Sequence, residues 1–154
     1  MKIEFTVPAL PTAQPRQRHR IINAGGRAFA HNYTPTRDPV NAFKAAVQMA
    51  VEKAYQGPPL EGPLRMSIVF VCPRPKNMIW KTKPMPRVWH DYKFDRDNLM
   101  KSLQDAMNKI VFLDDSQICS GPIDKVIAAG DESAHVEVVI ERLIDAPIYH
   151  GKTA

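Results

Sequence analysis

The sequence lacks the features that mark secreted, membrane or zinc-binding proteins. Its 154 residues include two cysteines, Cys72 and Cys119, which are too few for a disulfide framework or a cysteine zinc site. We expect both thiols to be reduced. No apolar run approaches the ~18 residues of a membrane-spanning helix, and the chain does not start with a signal-peptide core. The sequence therefore predicts a cytoplasmic protein that does not enter a membrane.

Common nucleotide- and calcium-binding motifs are also absent. The sequence contains no Gly-x-Gly-x-x-Gly segment, no P-loop and no histidine-rich ligand motif. The spacing of Asp95 and Asp97 superficially resembles a calcium loop. However, Leu99 and Met100 occupy the positions where an EF-hand needs a ligand and a glycine. These classes are therefore excluded.

What the sequence does contain is basic charge in two blocks. The formal net charge is +5. A net charge of this size is equally consistent with a polyanionic partner and with a role in solubility alone. Residues 1–37 carry six Lys or Arg and one acidic residue, and residues 65–101 carry nine and three. This clustering favours a polyanionic partner, because basic side chains release counterions from phosphates. The candidate DNA contacts are Arg16, Arg18, Arg20, Arg27, Arg74, Lys76, Lys81 and Lys83.

The apolar pattern predicts a single α+β domain with the element order β, α, β, α, β, β. Alternation predicts strands at residues 2–7, 64–72, 118–128 (interrupted at Gly121-Pro122) and 135–143. Helical spacing predicts helices at residues 39–54, capped by Asp38, and 98–110, capped by Asp97. The last two strands are expected to form an antiparallel hairpin. We therefore expect a mixed, mostly antiparallel four-stranded sheet with two helices in residues 1–143, and a polar tail at 144–154.

Both basic blocks are predicted to include irregular segments. Residues 11–37 are expected to form a basic arm with a turn at residues 23–26, either as an irregular loop or as a small hairpin. Residues 73–93 contain four prolines and are predicted to form a mobile surface loop, because proline fits neither a helix interior nor a central strand. In this loop, Trp80 and Trp89 can either stack on bases or pack back onto the domain.

The residues that carry chemistry are carboxylates around the second predicted helix. Asp95 and Asp97 flank its start, and Asp115 follows one helix and a turn later, which lets the chain bring the three together. Clustered carboxylates repel one another unless a cation binds them, and hard oxygen ligands suit Mg²⁺ or Mn²⁺. Taken singly, Asp97 also suits an N-cap and Asp115 a solvated turn. Lys101 is either an ion-pair partner of Asp97 or a group that offsets phosphate charge.

These residues resemble the pattern of the RusA-type Holliday-junction resolvases, which is Asp-x-Asp-Asn-x-x-Lys, Asp-Ala-Leu, then aromatic-x-Asp-Asp-x-Gln-Val or Ile. This chain has Asp95-x-Asp97-Asn98-Leu99-x-Lys101, Asp105-Ala106-Met107 and Phe112-Leu113-Asp114-Asp115-Ser116-Gln117-Ile118, over about 25 contiguous residues. Two features depart from the family: the 73–93 loop is longer, and the stretch from Asp105 to Asp114 is about a residue shorter.

The resemblance implies a homodimeric endonuclease that requires Mg²⁺ or Mn²⁺ and cuts four-way DNA junctions in recombination and repair. Many members are encoded by phages or prophages. By resemblance, the metal ligands are Asp95, Asp97 and Asp115 and the essential lysine is Lys101, with Asp114 and Asp105 as candidates for supporting roles. Two other functions stay open: a nuclease for other branched or flap DNA, and a DNA-binding module without catalysis.

The dimer is expected from the two-fold symmetry of the junction, because one carboxylate cluster supplies one nick. The candidate interface is the sheet side that the helices leave open, together with the last two strands. Val69 and Val71 either contribute to this interface or lie beneath a helix.

Overall fold

In the computed structural model, which describes residues 1–144, the most apolar strand of the sequence lies at the centre of the sheet. Residues 145–154 of the predicted tail lie outside the described residues. The strands are β1 (Lys2–Val7), β2 (Arg18–Ala24), β3 (Arg27–Tyr33), β4 (Leu64–Cys72), β5 (Val88–Trp89), β6 (Ile118–Ser120), β7 (Ile123–Ile127) and β8 (His135–Arg142). The two α-helices are α1 (Pro39–Ala54) and α2 (Arg96–Met107).

The main sheet is mixed and mostly antiparallel, as predicted, and has the order β1-β8-β4-β7-β5. It has six strands rather than the predicted four, because the short strands β5 and β6 pair with β7 and β4. The predicted hairpin of the last two strands is wrong. β4 lies between them, parallel to β7 and antiparallel to β8. A strand that is apolar on both faces is buried best between two neighbours, and the connection at residues 128–134 crosses over it.

Helix α1 begins as predicted, with Asp38 accepting a hydrogen bond from the backbone N–H of Val40 (3.0 Å). For α2, both predicted ends are wrong. Asp95 holds the N-cap position with an extended backbone, so Asp97 lies inside the first turn. The helix stops at Met107 because the chain turns sharply at Lys109, which has a φ of 65°. Among the described residues, no helix is long and apolar enough to span a membrane.

Both helices pack on the same face of the sheet. That face carries Met66, Ile68 and Phe70 of β4, and the core between the layers includes Val47 and Leu103. The opposite face of β4 has a smaller cluster, formed by Val71, Val126 and Ala128 with Val69 packed against it. Val69 and Val71 therefore do not lie beneath a helix.

The two basic segments are more ordered than the sequence predicts. In the arm, β2 and β3 form a small hairpin rather than an irregular loop, and Gly25 (φ 59°) and Gly26 (φ 75°) make the tight turn that this geometry requires. The hairpin makes no extensive contact with another described strand or helix. The loop at residues 73–93 contains a 3₁₀ turn at Lys76–Met78 and the short strand β5, which joins the sheet beside β7.

Candidate functional site

The start of α2 borders an open depression of ≈ 440 Å³, lined by residues 91–97 and Lys125. Asp95 makes no side-chain capping bond, although it occupies the cap position. Asp97 follows in the first turn, where the positive end of the helix dipole favours an anion. Within residues 1–144, neither carboxylate takes part in an ion pair. Both are exposed, so they are available to an external cation.

Lys125 holds the segment before α2 against the sheet. Its Nζ donates hydrogen bonds to the carbonyl oxygens of Tyr92 and Phe94, both at 2.7 Å. Lys125 pairs with Phe70 and lies on the helix side of β7. Arg96 adds a second attachment, from its Nη1 to the carbonyl oxygen of Ile123 (3.1 Å). These contacts fix the position of Asp95, and Lys125 is not among the residues that the sequence predicts for the site. The sequence did contain a sign of this role: Lys125 occupies a position in the alternating pattern of the predicted 118–128 strand that points towards the helices.

His90 forms the buried base of the same segment. Its backbone N–H donates to the carbonyl oxygen of Lys125 (3.1 Å), and its ring packs on Tyr92 with centroids 4.2 Å apart. Burial lowers the pKa of His90 below its usual value, and the positive charge of Lys125 lowers it further. The imidazole is therefore favoured in its neutral form, which suits a packing role.

Lys101 lies one helical turn after Asp97 and is exposed. The two side chains form no ion pair among the described contacts, so Lys101 is also available for a ligand. By contrast, Asp105 pairs with Lys44 of α1 at 3.7 Å and links the two helices. It lies eight residues after Asp97, about 12 Å along the helix axis. A supporting role for Asp105 at a metal stays a prediction.

Asp114 has a structural role at the N-cap of a short 3₁₀ helix, Asp115–Gln117. Its carboxylate accepts hydrogen bonds from the backbone N–H of Ser116 (3.1 Å) and from the Ser116 hydroxyl, which lower the pKa of Asp114. Gln117 completes the cap by accepting from the backbone N–H of Asp114 and anchors the turn by donating to the carbonyl oxygen of Leu60 (2.9 Å). The position of Asp115 is therefore well fixed.

The structure places Asp115 apart from Asp95 and Asp97. Ile118, just after Asp115, pairs with Leu64, whereas Ile123, which anchors Arg96, pairs with Ile68. Leu64 and Ile68 are four residues apart on β4, so these two points of attachment lie about 13 Å apart along the strand. Within residues 1–144, no three His, Cys, Asp or Glu side chains are grouped so that they could hold a metal ion.

Asp95 and Asp97 by themselves fit part of a metal site. Two carboxylates two residues apart at a helix start, open to solvent, are typical ligands for Mg²⁺, which keeps several waters in its coordination shell. The described chain does not bring Asp115 to this pair as a third ligand. That all three bind one ion stays a prediction.

Arg74 and Trp80 of the 73–93 loop are engaged within the fold. Arg74 donates to the carbonyl oxygens of Met78 (2.7 Å), Pro86 (2.9 Å) and Ala128 (3.1 Å). Its guanidinium lies 4.8 Å from the Trp80 ring centroid. Trp80 therefore packs back onto the domain, and DNA binding by Arg74 stays a prediction.

The loop lysines, Trp89 and the arginines of the arm are open to solvent. Lys76, Lys81 and Lys83 are exposed, although Lys83 lies over the Trp80 ring at 4.0 Å. Trp89 is 72% exposed. The arm carries five exposed arginines with no acidic partner among the described residues: Arg16, Arg18, Arg20, Arg27 and Arg37.

Exposed basic side chains grouped on a hairpin and a loop are typical of a protein that binds nucleic acid. Comparison with known families agrees. The chain belongs to the RusA family, whose model, described as endodeoxyribonuclease RusA, matches residues 8–141.

Two relatives match almost end to end. The uncharacterized protein YqaN of Bacillus subtilis (strain 168) is 29% identical over 148 residues, which cover 92% of this chain and 96% of the relative. The crossover junction endodeoxyribonuclease rusA of Lactococcus phage r1t is 29% identical over 141 residues, which cover 90% of this chain and 95% of the relative.

Proposed function

We propose that this chain is a Mg²⁺- or Mn²⁺-dependent endodeoxyribonuclease that resolves Holliday junctions by paired nicks in DNA recombination and repair. Membership of the RusA family supports the nuclease class, and the name of the phage relative supports the junction substrate. The observation that carries the proposal is the unpaired carboxylate pair, Asp95 and Asp97, in a depression at the start of α2.

In this proposal Asp95 and Asp97 hold the cation, and Asp115 is the third ligand. When bound, the cation supplies a polarised water and positive charge for the scissile phosphate. Lys101 lies on the same side of α2 as Asp97, about 6 Å further along the axis. From there its ammonium offsets the charge that develops on the phosphate oxygens. Lys125 keeps Asp95 in position through its bonds to Tyr92 and Phe94.

The proposed active form is a homodimer, because two nicks in one junction need two sites related by a two-fold axis. The interface predicted from the sequence is the sheet face away from the helices; the alternative is the α2 side, which would bring Asp115 of one chain to the Asp95–Asp97 pair of the other. A groove of ≈ 380 Å³ on the sheet face includes Thr6, Ser67, Val69 and Val139. Val71 is already fully buried in the single chain and cannot contribute.

Cleavage of a synthetic four-way junction, with and without Mg²⁺, tests the function. We expect paired nicks only with the metal, and much slower cleavage of three-way and linear duplexes. Equal rates on flaps or three-way junctions would instead support the broader branched-DNA nuclease. Tight binding without cleavage under every metal tested would support a non-catalytic module.

A further inference from the structure

The β2–β3 hairpin has two unlike faces. Residues that pair across an antiparallel ribbon share a face, and alternate pairs share the same one. The pairs Arg18–Tyr33, Arg20–His31 and Ala24–Arg27 therefore lie on one side with Ile22–Phe29. We name this side the arginine–aromatic face, and its defining residues are Arg18, Arg20, Arg27, Phe29, His31 and Tyr33. The opposite face carries His19 and Ile21 with alanine and asparagine side chains.

Contacts within the hairpin confirm this division. On the arginine–aromatic face, the Arg20 guanidinium lies 5.5 Å from the Tyr33 ring centroid, and His31 stacks on Tyr33 at 6.5 Å. On the opposite face, His19 hydrogen-bonds to Asn32. Phe29 is nevertheless 49% exposed. The face therefore presents arginines and aromatic rings to solvent together.

Nothing else in the described chain covers this face. The hairpin makes no extensive contact with another described helix or strand, and its three arginines form no ion pair there. A two-stranded ribbon without a core beneath it is marginally stable in water. A second copy of the same face is an unsuitable occupant, because it would bring six arginines together. Three unpaired arginines on one face favour a polyanionic ligand instead.

Building on the proposed function, we infer that the arginine–aromatic face binds branched DNA at the branch point, with the arginines on phosphates and Phe29 against an unstacked base. Arginines provide the phosphate contacts that any DNA offers. An aromatic ring gains from a base only where the base has an open face. Bases inside a continuous duplex are stacked on both sides, whereas stacking is interrupted where four arms meet. Phe29 is therefore the residue that distinguishes a branch from a duplex.

The test compares Phe29→Ala with Ile21→Ala, a matched variant on the opposite face that also removes an exposed apolar side chain; Ile21 is 76% exposed. Binding is measured in EDTA to a four-way junction with 2-aminopurine at the branch point, and to linear duplex. We expect Phe29→Ala to weaken junction binding by about 5- to 100-fold, as for removal of one base stack, and to abolish the fluorescence change. Ile21→Ala should match the wild type, and duplex affinity should be unchanged in both.

Several outcomes overturn the inference. Equal effects of the two variants would show that the hairpin does not discriminate by face. An equal loss of duplex binding in Phe29→Ala would place Phe29 in a groove rather than at the branch. Phe29→Trp should restore the fluorescence change, since it keeps a stacking ring, and its failure to do so would count against stacking.

The same experiment separates the inference from the proposed function. If the wild type binds and cuts junctions but Phe29→Ala behaves like the wild type, only the inference fails. If the wild type never cuts but Phe29→Ala still binds the junction more weakly, only the nuclease proposal fails. Thermal unfolding of each variant checks that the domain stays folded, which we expect because Phe29 lies outside the core.

Discussion

The β2–β3 hairpin and the 73–93 loop are the two most basic segments of the chain, but they use their arginines differently. In the loop, Arg74 bonds to three carbonyl oxygens, and Arg87 pairs with Glu132 and Glu137, both at 2.7 Å. In the hairpin, Arg18 and Arg27 have no acidic partner among the described residues. Segments of similar composition therefore differ in role: the loop arginines stabilise the loop, and the hairpin arginines are available to a ligand.

The acidic residues divide in the same way. Asp105 pairs with Lys44, and Asp114 caps a 3₁₀ helix, so both stabilise the fold. Asp95 and Asp97 have no such partner among the described residues. A charged side chain that folding leaves unpaired is a better candidate for function than one that the fold uses. The following experiments test this contrast.

The largest effect is expected for Asp97→Asn. Removal of a metal-ligand charge should reduce junction cleavage by about 100-fold or more while binding persists, because a negative charge near phosphate is removed. Asp105→Asn is the matched change of a paired acid, and we expect a much smaller reduction in rate. Single-turnover cleavage with Mg²⁺ measures both. Undiminished cleavage by Asp97→Asn would refute the assigned site.

Mixed dimers of Asp97→Asn and Asp115→Asn show where the third ligand comes from. Because Asp115 lies apart from Asp95 and Asp97 within the described chain, we expect it to reach the Asp95–Asp97 pair of the second chain, across an interface on the α2 side. One site of the mixed dimer then combines the intact Asp97 of the Asp115→Asn chain with the intact Asp115 of the Asp97→Asn chain. We expect this site to make one nick per junction, whereas the homodimer of either variant is inactive.

A site within one chain predicts no rescue, because each site of the mixed dimer then lacks one acid. Co-purification of two different affinity tags must first show that the mixed dimer forms. Titration with Mn²⁺ gives an independent measure: one ion per mixed dimer under the shared arrangement, and no tight binding otherwise.

Arg74→Ala should lower stability strongly, because it removes three hydrogen bonds from a charged donor. We expect a decrease of about 2–4 kcal/mol in the free energy of unfolding, measured by urea denaturation. Arg20→Ala, from the hairpin, should change stability little. If the two variants unfold at the same urea concentration, the contrast between the loop and hairpin arginines is wrong.

The triple variant Arg18→Ala, Arg20→Ala, Arg27→Ala should weaken binding and flatten its salt dependence. On duplex DNA, the slope of log affinity against log salt should fall by about 0.9 for each phosphate that the variant no longer neutralises. Fluorescence anisotropy over a salt series measures this slope. An unchanged slope would move the phosphate contacts to the exposed loop lysines.

The smallest effect concerns pH and His90. Because the pKa of His90 is lowered in the folded protein, the unfolded chain takes up the proton first as the pH falls through about 6.5. The contribution of neutral His90 to the free energy of unfolding is therefore present above about pH 6.5 and is lost as the pH falls below it. His90→Gln should show a shallower fall in Tm between about pH 7.5 and about pH 5 than the wild type. Parallel curves would contradict this.

Much of the fold could be predicted because it depends on local pattern. Asp38-Pro39 and the apolar spacing that follows predict α1 with its first residue, and the alternation from Leu64 to Cys72 predicts β4 with its central position. The break at Gly121-Pro122 is also confirmed. Gly121 has a φ of 127°, and a Cβ there would lie 1.9 Å from the carbonyl oxygen of Met66. A glycine next to a proline is a local feature that marks such a break.

The errors concern contacts between distant residues. Alternation in β7 and β8 does not reveal that β4 separates them, because strand order depends on which faces must be covered. The sequence also could not distinguish Asp95 from Asp97 as the cap of α2, since both residues suit that position. Nor could it show that Asp105 faces Lys44, which comes 61 positions earlier in the chain.

Residues close together in the chain were enough to specify α1, the presence of α2, the central strand, the family pattern and the positions of the two basic segments. Which charged groups are available to a ligand depended instead on the packing of the whole domain. Arg74 and Asp114 are held by contacts within the fold, whereas Asp97, Lys101 and the hairpin arginines have no such contacts among the described residues. A charge is paired or left open by its neighbours in space, and the packing of the sheet, helices and loops selects those neighbours.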